Sequence, residues 1–477
     1  MSATLIGQAP RFQYLPVGQD VIFAVSNTSI VSSFTGVKFI AEVHISSNGI
    51  PNLSTNNDVV GTFKTSPNNA GVGMFDFRPI IESFVNSDHK ALANSSYKTA
   101  VNTNLRTPLH LIDKFSGNNN SFRHLAIRFT VQYIDTAGVL ITDTFINSSN
   151  YNIINGYLKY TDKLEIGTGN NISNFGFNMR QFELLYNTTT AGFLTNAPTT
   201  QYANLEDYGT VAMLNIAPVY KLPTGGLNPG VRYITFTFLL EDGSTVNDGI
   251  ELVDIADGGF PHTQQDRAYN QIAYAGVFPA NLQGWSTVFN TNINNIVSYT
   301  FIVQSYLGAV AAPASKTYQV NINCPTLKGY EPIRLTWLNQ WGAWDYYTFT
   351  MKSSKTISTK GSTYQQLAGS WNESAYRLDS FKGGKKAFRV NATEKITMNT
   401  DFVNETESEW FEELINSPEV YILEGFQTDI TNSALNTYVT PVRLTTSNYT
   451  KKTVANDKLM QYTFEVEKAK TLRTQAI

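Results

Sequence analysis

Apolar residues recur at every second position through much of this chain. Val37, Phe39, Ala41, Val43 and Ile45 alternate in one run, which predicts a strand with one buried face. Phe129, Val131 and Tyr133 lead into Asp135-Thr136-Ala137-Gly138, and Val139 and Ile141 lead away. That is a hairpin with its glycine where a positive φ is needed. Thr235, Thr237 and Leu239 alternate with Phe236 and Phe238 ahead of a Glu241-Asp242-Gly243-Ser244 turn. A further strand pair is expected at Tyr299-Ile302-Gln304 and Tyr318-Val320-Ile322, with a small-residue turn between them, and the stretch 223–230 reads as a loop. Strands at this spacing predict a sandwich or barrel.

Two segments follow a helical period instead. Pro79 takes a first helical position, and Ile80, Ile81, Phe84 and Val85 share a face. Trp410, Phe411, Leu414 and Ile415 do the same before Asn416-Ser417-Pro418, with Thr406 and Glu409 spaced as a capping box. The shared E-x-x-x-N-S spacing (Glu82 with Asn86-Ser87, Glu412 with Asn416-Ser417) is read as independent capping of two similar helices rather than a duplication.

After Cys324 charged residues thicken, with Lys382, Lys385 and Lys386 together and five acids between Glu405 and Glu413. The expected fold is mainly β, tandem β-sandwich-like domains at 1–165 and 166–325 followed by a C-terminal α+β domain at 326–477. The last domain opens with a tryptophan-rich hairpin. A long polar connection, two short strands around Phe388 and Ile396, a helix and closing strands at 420–422, 442–444 and 462–466 then follow.

Composition narrows the function classes. Of 477 residues 42% are hydrophobic and 13% aromatic, enough for packed cores, while only 15% are charged and the net charge is −3. This argues against disorder and against a general affinity for nucleic acid. The single cysteine, Cys324, has no partner for an intrachain disulfide and is expected as a small buried apolar residue. Residues 1–14 lack the basic and apolar regions of a secretory signal. No apolar run reaches the ~20 residues of a membrane span, so no membrane insertion is expected. Asn-x-Ser/Thr triplets at Asn27, Asn147, Asn187 and Asn448 are what an Asn- and Thr-rich chain produces by chance.

Local catalytic signatures are missing. The five histidines (His44, His89, His110, His124 and His262) show no metal-ligand spacing, and there is no P-loop, nucleophile elbow or dinucleotide fingerprint. Asp76, Glu82 and His89 lie close in sequence, but nothing puts them on one face. The Lys382-Gly383-Gly384-Lys385-Lys386 cluster reads as a solvated hairpin tip before it reads as an anion or nucleic-acid patch. The chain is therefore expected to be no enzyme, with no catalytic residue, cofactor or metal. A polysaccharide-degrading enzyme would need a carboxylate pair brought together by the fold, and a glycan-binding protein would need exposed aromatics in a groove.

The densest feature is Pro332–Phe349, with three of the six tryptophans within eight residues. Ile333, Leu335 and Trp337 alternate, Asn339-Gln340-Trp341-Gly342 turns, and Tyr347, Phe349 and Met351 alternate again. Gly342 is placed to supply the positive φ of the return. Trp341 sits where its own hairpin cannot cover it and is the expected interface anchor, with Trp344 and Asp345 beside it. Its removal is expected to spare the monomer and weaken assembly.

This stretch resembles a signature of virion proteins of tailed bacteriophages infecting Bacteroidota, crAss-like phages among them. The family's L-N-x-x-G-x-x-D pattern is kept at Leu338, Asn339, Gly342 and Asp345. Further landmarks are similar in order across most of the chain. They run from Gly73-Met74-Phe75-Asp76-Phe77 through 192–198 and Asp207-Tyr208-Gly209-Thr210 to 414–421, Thr440-Pro441-Val442 and 456–459. The resemblance implies a structural protein of the tail or neck in the virion, assembled in the host cytoplasm. Its implied partners are further copies of itself in a cyclic ring and other tail or portal-proximal proteins. A receptor- or glycan-binding virion protein is the alternative, and a polysaccharide-degrading enzyme a more remote one.

Overall fold

The computed structural model describes residues 3–87 (apart from 48 and 56), 115–214 (apart from 119), 231–251, 272–323 (apart from 308 and 309), 329–423 (apart from 371), 439–450 (apart from 447 and 449) and 460–473 (apart from 471). Cys324, His89, His110, His262 and the stretches 223–230 and 456–459 lie outside them. The fold is mainly β, with several sandwich-like sheets. The chain divides into two compact units. The first holds Met1–Asn323, Leu338–Asp345 and Phe426–Leu435; the second holds Cys324–Trp337, Tyr346–Gly425 and Asn436–Ile477.

In the first unit the alternating runs become strands as their periodicity requires. Tyr14–Pro16, Tyr151–Ile154, Phe122–Ile134, Thr35–Ser46 and Val59–Thr65 lie side by side in that order. A smaller sheet of Leu5–Gln8, Ile22–Ser26 and Val72–Asp76 completes the sandwich. Phe23 and Phe75 from the small sheet meet Phe129 from the large one at 5.4 and 5.7 Å between ring centroids. The 129–141 hairpin turns at Gly138, φ 81°.

The second half of this unit repeats the topology. Thr200–Ala203, Tyr318–Ile322, Ile296–Leu307, Val231–Leu240 and Thr245–Glu251 form its large sheet. In both halves the short first strand runs parallel to the last strand, and every other neighbour on this path is antiparallel. Thr210–Leu214 and Ile272–Gly276 stand where Ile22–Ser26 and Val72–Asp76 stand in the first half, and in both halves a Pro-initiated helix follows the second of these strands. The repeat is thus between the two halves of one unit, not between the 80s and 410s helices that share E-x-x-x-N-S.

A boundary at 165/166 does not separate these halves. Phe115–Asn118, from the first, is the third strand of the second half's small sheet, paired along Ile272–Gly276. A strand lent across the boundary makes the second half's hydrogen-bond ladder depend on the first.

The second unit is built on an eight-stranded sheet whose main path runs Trp344–Phe349, Ile333–Leu338, Val420–Leu423, Val439–Leu444, Thr463–Lys468, Gly384–Asn399, Ser354–Gln366. The helix Glu405–Asn416 lays Trp410, Phe411 and Leu414 on it. Trp410 meets Trp337 at 5.0 Å and Phe411 meets Phe464 at 5.5 Å. The capping box is Asn404 with Glu407, each bonding the other's backbone N–H at 2.9 Å, not Thr406 with Glu409. Asn is as good an N-cap as Thr, and it sits two residues earlier, where the chain leaves the extended conformation. The expected polar connection is in fact the thirteen-residue strand Ser354–Gln366, and the two short strands around Phe388 and Ile396 are one sixteen-residue strand.

Candidate functional site

Three places have the features of a site: the tryptophan turn, a cleft in the first unit, and the two-stranded ribbon of the second unit.

The turn 339–342 forms where it was expected, with Asn339 N–H donating to the Ala343 carbonyl and Gly342 at φ 74°. Asn339 organises it from inside. Its side-chain oxygen accepts from the N–H groups of Trp341 and Ala343, both at 3.0 Å. Its amide donates to the Leu194 carbonyl at 2.8 Å and to Asp345 at 2.9 Å. Thr195 donates its hydroxyl proton to the same Asp345 oxygen at 2.6 Å. Asn196 donates to Gln340 at 2.8 Å and accepts from the Trp341 indole at 3.1 Å. Gln340 also donates to Asp162 at 2.6 Å. The Trp341 ring rests between Phe177 and Phe182, at 5.2 and 4.9 Å.

These contacts correct the expected interface. Trp341, Trp344 and Asp345 are only 2, 3 and 4% exposed, so a second subunit has nothing there to cover. Segments about 150 residues earlier in the same chain cover Trp341. Two of the sequence landmarks, 192–198 and 338–345, are the two sides of one buried contact. The tyrosine under the first is drawn in as well: Tyr318 accepts from the Phe193 N–H at 3.0 Å, and burial pushes its hydroxyl up to about 12.

The cleft, about 410 Å³, lies beside Arg11, Tyr14, Asn178, Arg180 and Glu183. Arg11 is already engaged, pairing with Glu165 at 3.4 Å and donating to the Ile166 carbonyl. Asn178 donates to Glu165 at 3.0 Å. Burial raises the Glu183 carboxyl above its usual range, opposed by Arg180. Burial likewise raises the Tyr14 hydroxyl, assisted by Glu183. Glu183 is the carboxylate lining this cleft, and Glu165 stands behind Arg11 and Asn178. Among the described residues no group of three or more His, Cys, Asp or Glu is placed to hold a metal, and no helix is long and apolar enough to cross a membrane.

The ribbon is the third place. Ser354–Gln366 pairs with Gly384–Asn399 along its whole length, with a bulge opposite Ser362 and Thr363. Among the described residues the far side of Gly384–Asn399 is covered by Thr463–Lys468 at Lys395–Asn399 and by Leu472–Arg473 at Asn391–Ala392. Among the described residues the ribbon is therefore two strands wide from Gly384 to Val390, and Ser354–Gln366 has no further strand beside it. Ile357, Leu367, Tyr376, Leu378, Phe381 and Phe388 are all more than half exposed along it. Two strands with both faces wet are marginal in water, and clustered exposed apolar side chains mark an interaction surface. The Lys382–Lys386 cluster lies at this ribbon's turn, where Lys382 pairs with Asp379 at 2.7 Å. Of the ribbon's apolar residues the sequence pattern singles out Phe388 alone, as the centre of a short strand rather than as an exposed surface. The available signal was the Thr- and Ile-containing run 354–366, β-favouring but without alternation.

No family model and no curated protein matches the chain. Among solved structures it is similar to the native conformation of E. coli alpha-2-macroglobulin, at 10% identity and a TM-score of 0.17, over 83% of this chain and 21% of that one. The chain thus spans about a fifth of that protein's length, and a likeness so distant carries no argument about either fold or function.

Proposed function

We propose that the chain is a non-enzymatic structural protein of a phage virion, a tail or neck ring component that assembles by self-association and by contact with other tail or portal-proximal proteins. The ribbon is the observation that carries this reading: six large apolar side chains stand in solvent within 357–388, on its two strands and the connection between them. The sequence resemblance and the low charge content point the same way, since uncharged polar surface can be covered at a contact without the desolvation cost of buried charge.

The test is localisation. An epitope tag on the chain, gold-labelled on purified virions, is expected to decorate a discrete ring on the tail or neck. Virions that incorporate none of the protein, by mass spectrometry of the same particles, would overturn the reading.

A further inference from the structure

The ribbon's charge says what covers it. Between Lys360 and Arg389 six basic residues stand against two acids, a net of +4 in a chain whose total is −3, which leaves the remainder at −7. Both acids are used locally, Glu373 facing Arg377 at 3.7 Å and Asp379 facing Lys382 at 2.7 Å. Lys360, Lys385, Lys386 and Arg389 have no carboxylate partner among the described residues. The opposite bias is equally local. From Asp401 to Val442 there are nine acids and not one lysine or arginine. The 405–416 helix opens this stretch and presents Glu405 and Glu409 to solvent, one turn apart, with Phe402 56% exposed at its start.

We propose, building on the reading above, that the basic, apolar ribbon of one copy docks on the acidic outer face of the 405–416 helix of a second copy. Charge complementarity selects this occupant, and the lengths agree. The uncovered segment 384–390 extends ~23 Å at the rise of a strand, and a twelve-residue helix ~18 Å. Phe381 and Phe388 supply apolar area next to the lysines, and Phe402 supplies it next to the glutamates. Because ribbon and helix are different surfaces of the same chain, the contact is head-to-tail, the kind that closes into a ring when the rotation per copy permits.

Sedimentation velocity of the full chain tests this with two charge reversals. Lys385→Glu with Lys386→Glu places like charges at the contact from the ribbon side, and Glu405→Lys with Glu409→Lys does so from the helix side. Each pair is expected to weaken self-association at least ~10-fold, since like charges facing each other cost several kcal/mol. An equimolar mixture of the two variants restores opposite charges at every contact between unlike copies. It should associate within ~3-fold of the unaltered chain, because a reversal repaired in the partner removes the repulsion.

Circular dichroism checks that each variant keeps its fold. Should lysines at the helix N-terminus unfold it, Glu405→Gln with Glu409→Gln reads the same contact and should weaken association ~3-fold or more. Variants that associate like the unaltered chain, a mixture that fails to recover, or a chain that stays monomeric at every concentration would each overturn this contact. So would ribbon variants that lose only nucleic-acid binding. None of these results bears on whether the protein is in the virion, which the gold label decides separately.

Discussion

Two hairpins share one eight-stranded sheet and treat their aromatic residues in opposite ways. The 333–349 hairpin carries three tryptophans, and its turn is wrapped by Asn196, Phe177 and Phe182 until Trp341 is 2% exposed. The 354–399 hairpin carries scattered Phe, Tyr and Leu and leaves them in water, Phe381 at 73% and Leu378 at 72%. What separates them is not aromatic content but the polar residues around it. Asn339, Gln340 and Asp345 can satisfy a buried backbone and each other, whereas the lysines of the ribbon must keep their ammonium groups wet. An aromatic cluster in a sequence therefore points to a core when short amides accompany it, and to an open surface when unpaired cations do.

The largest effect that could break this comparison is at the turn itself. Trp341→Ala is expected to cost ~3–5 kcal/mol of stability, the usual loss for emptying a buried tryptophan site, rather than to spare the monomer. Gly342→Ala should be comparably damaging, because its φ is 74° and a Cβ there would lie 2.1 Å from the Asn155 carbonyl oxygen. Denaturant unfolding followed by tryptophan fluorescence measures both. A Trp341→Ala protein as stable as the unaltered chain would show that the turn is not held from inside.

Next in size is the amide that braces the turn. Asn339→Ala strips four side-chain hydrogen bonds and leaves the Leu194 carbonyl and two turn N–H groups without that partner. A loss of ~1–3 kcal/mol is expected, since each unmet buried group costs on that scale. The same denaturation midpoint reports it, and Asn339→Asp should recover none of the loss, because a carboxylate oxygen would replace the donating amide opposite the buried Asp345 carboxylate and the Leu194 carbonyl.

Acid tests the contrast at the level of the units. All five histidines lie within the first unit and none in the second. His124 is 8% exposed, bonded to Asn152 at 2.9 Å, and burial holds its pKa below the ordinary 6.5. The unfolded chain therefore takes up this proton first as pH falls. Stability is unaffected above about pH 6.5 and drops below it, by at most ~1.4 kcal/mol per pH unit, until the native pKa is reached. Glu183 opposes this, because its raised pKa lets the native state bind a proton first. Burial and Arg128 hold the His44 pKa below 6.5 as well, so His124→Gln should lose only its own part of the drop below pH 6.5. The difference between the pH profiles of unfolding of the variant and the unaltered chain is the His124 contribution.

The sequence showed the class of fold and many of its strands, because half-buried strands write their geometry as alternation. Phe39 to Ile45, Phe129 to Ile141 and Thr235 to Leu239 are such cases. It also placed the Asn339–Gly342 turn. It hid the ribbon for the complementary reason: a strand with no buried face has no period-2 signal, so 354–366 read as a connection. The halves' common topology was invisible since only the chain path repeats, not the residues. The burial of Trp341 depended on contacts with 177–196, a long-range fact no local pattern contains. The sandwich boundary failed similarly, through one strand at 115–118 paired 150 residues away.

The smallest expected effect gives the sharpest form of the comparison. Phe381→Ser with Phe388→Ser removes two rings that are 73 and 60% exposed and, save for an edge contact of Phe388 with Tyr364 at 6.4 Å and Lys382 beside Phe381 at 5.5 Å, bind little of their own chain. Surface changes of this kind shift stability by no more than ~0.5 kcal/mol, so the thermal midpoint of the isolated chain should hardly move. On the docking proposed above, incorporation into particles should fall instead, because the apolar area the rings offer would be covered in the assembly. A serine pair that unfolds the chain would mean the ribbon packs on its own unit, and one that assembles normally would leave these rings without a role. Either result would erase the distinction between the two hairpins, since only a residue idle in the monomer and needed in the assembly belongs to an interface.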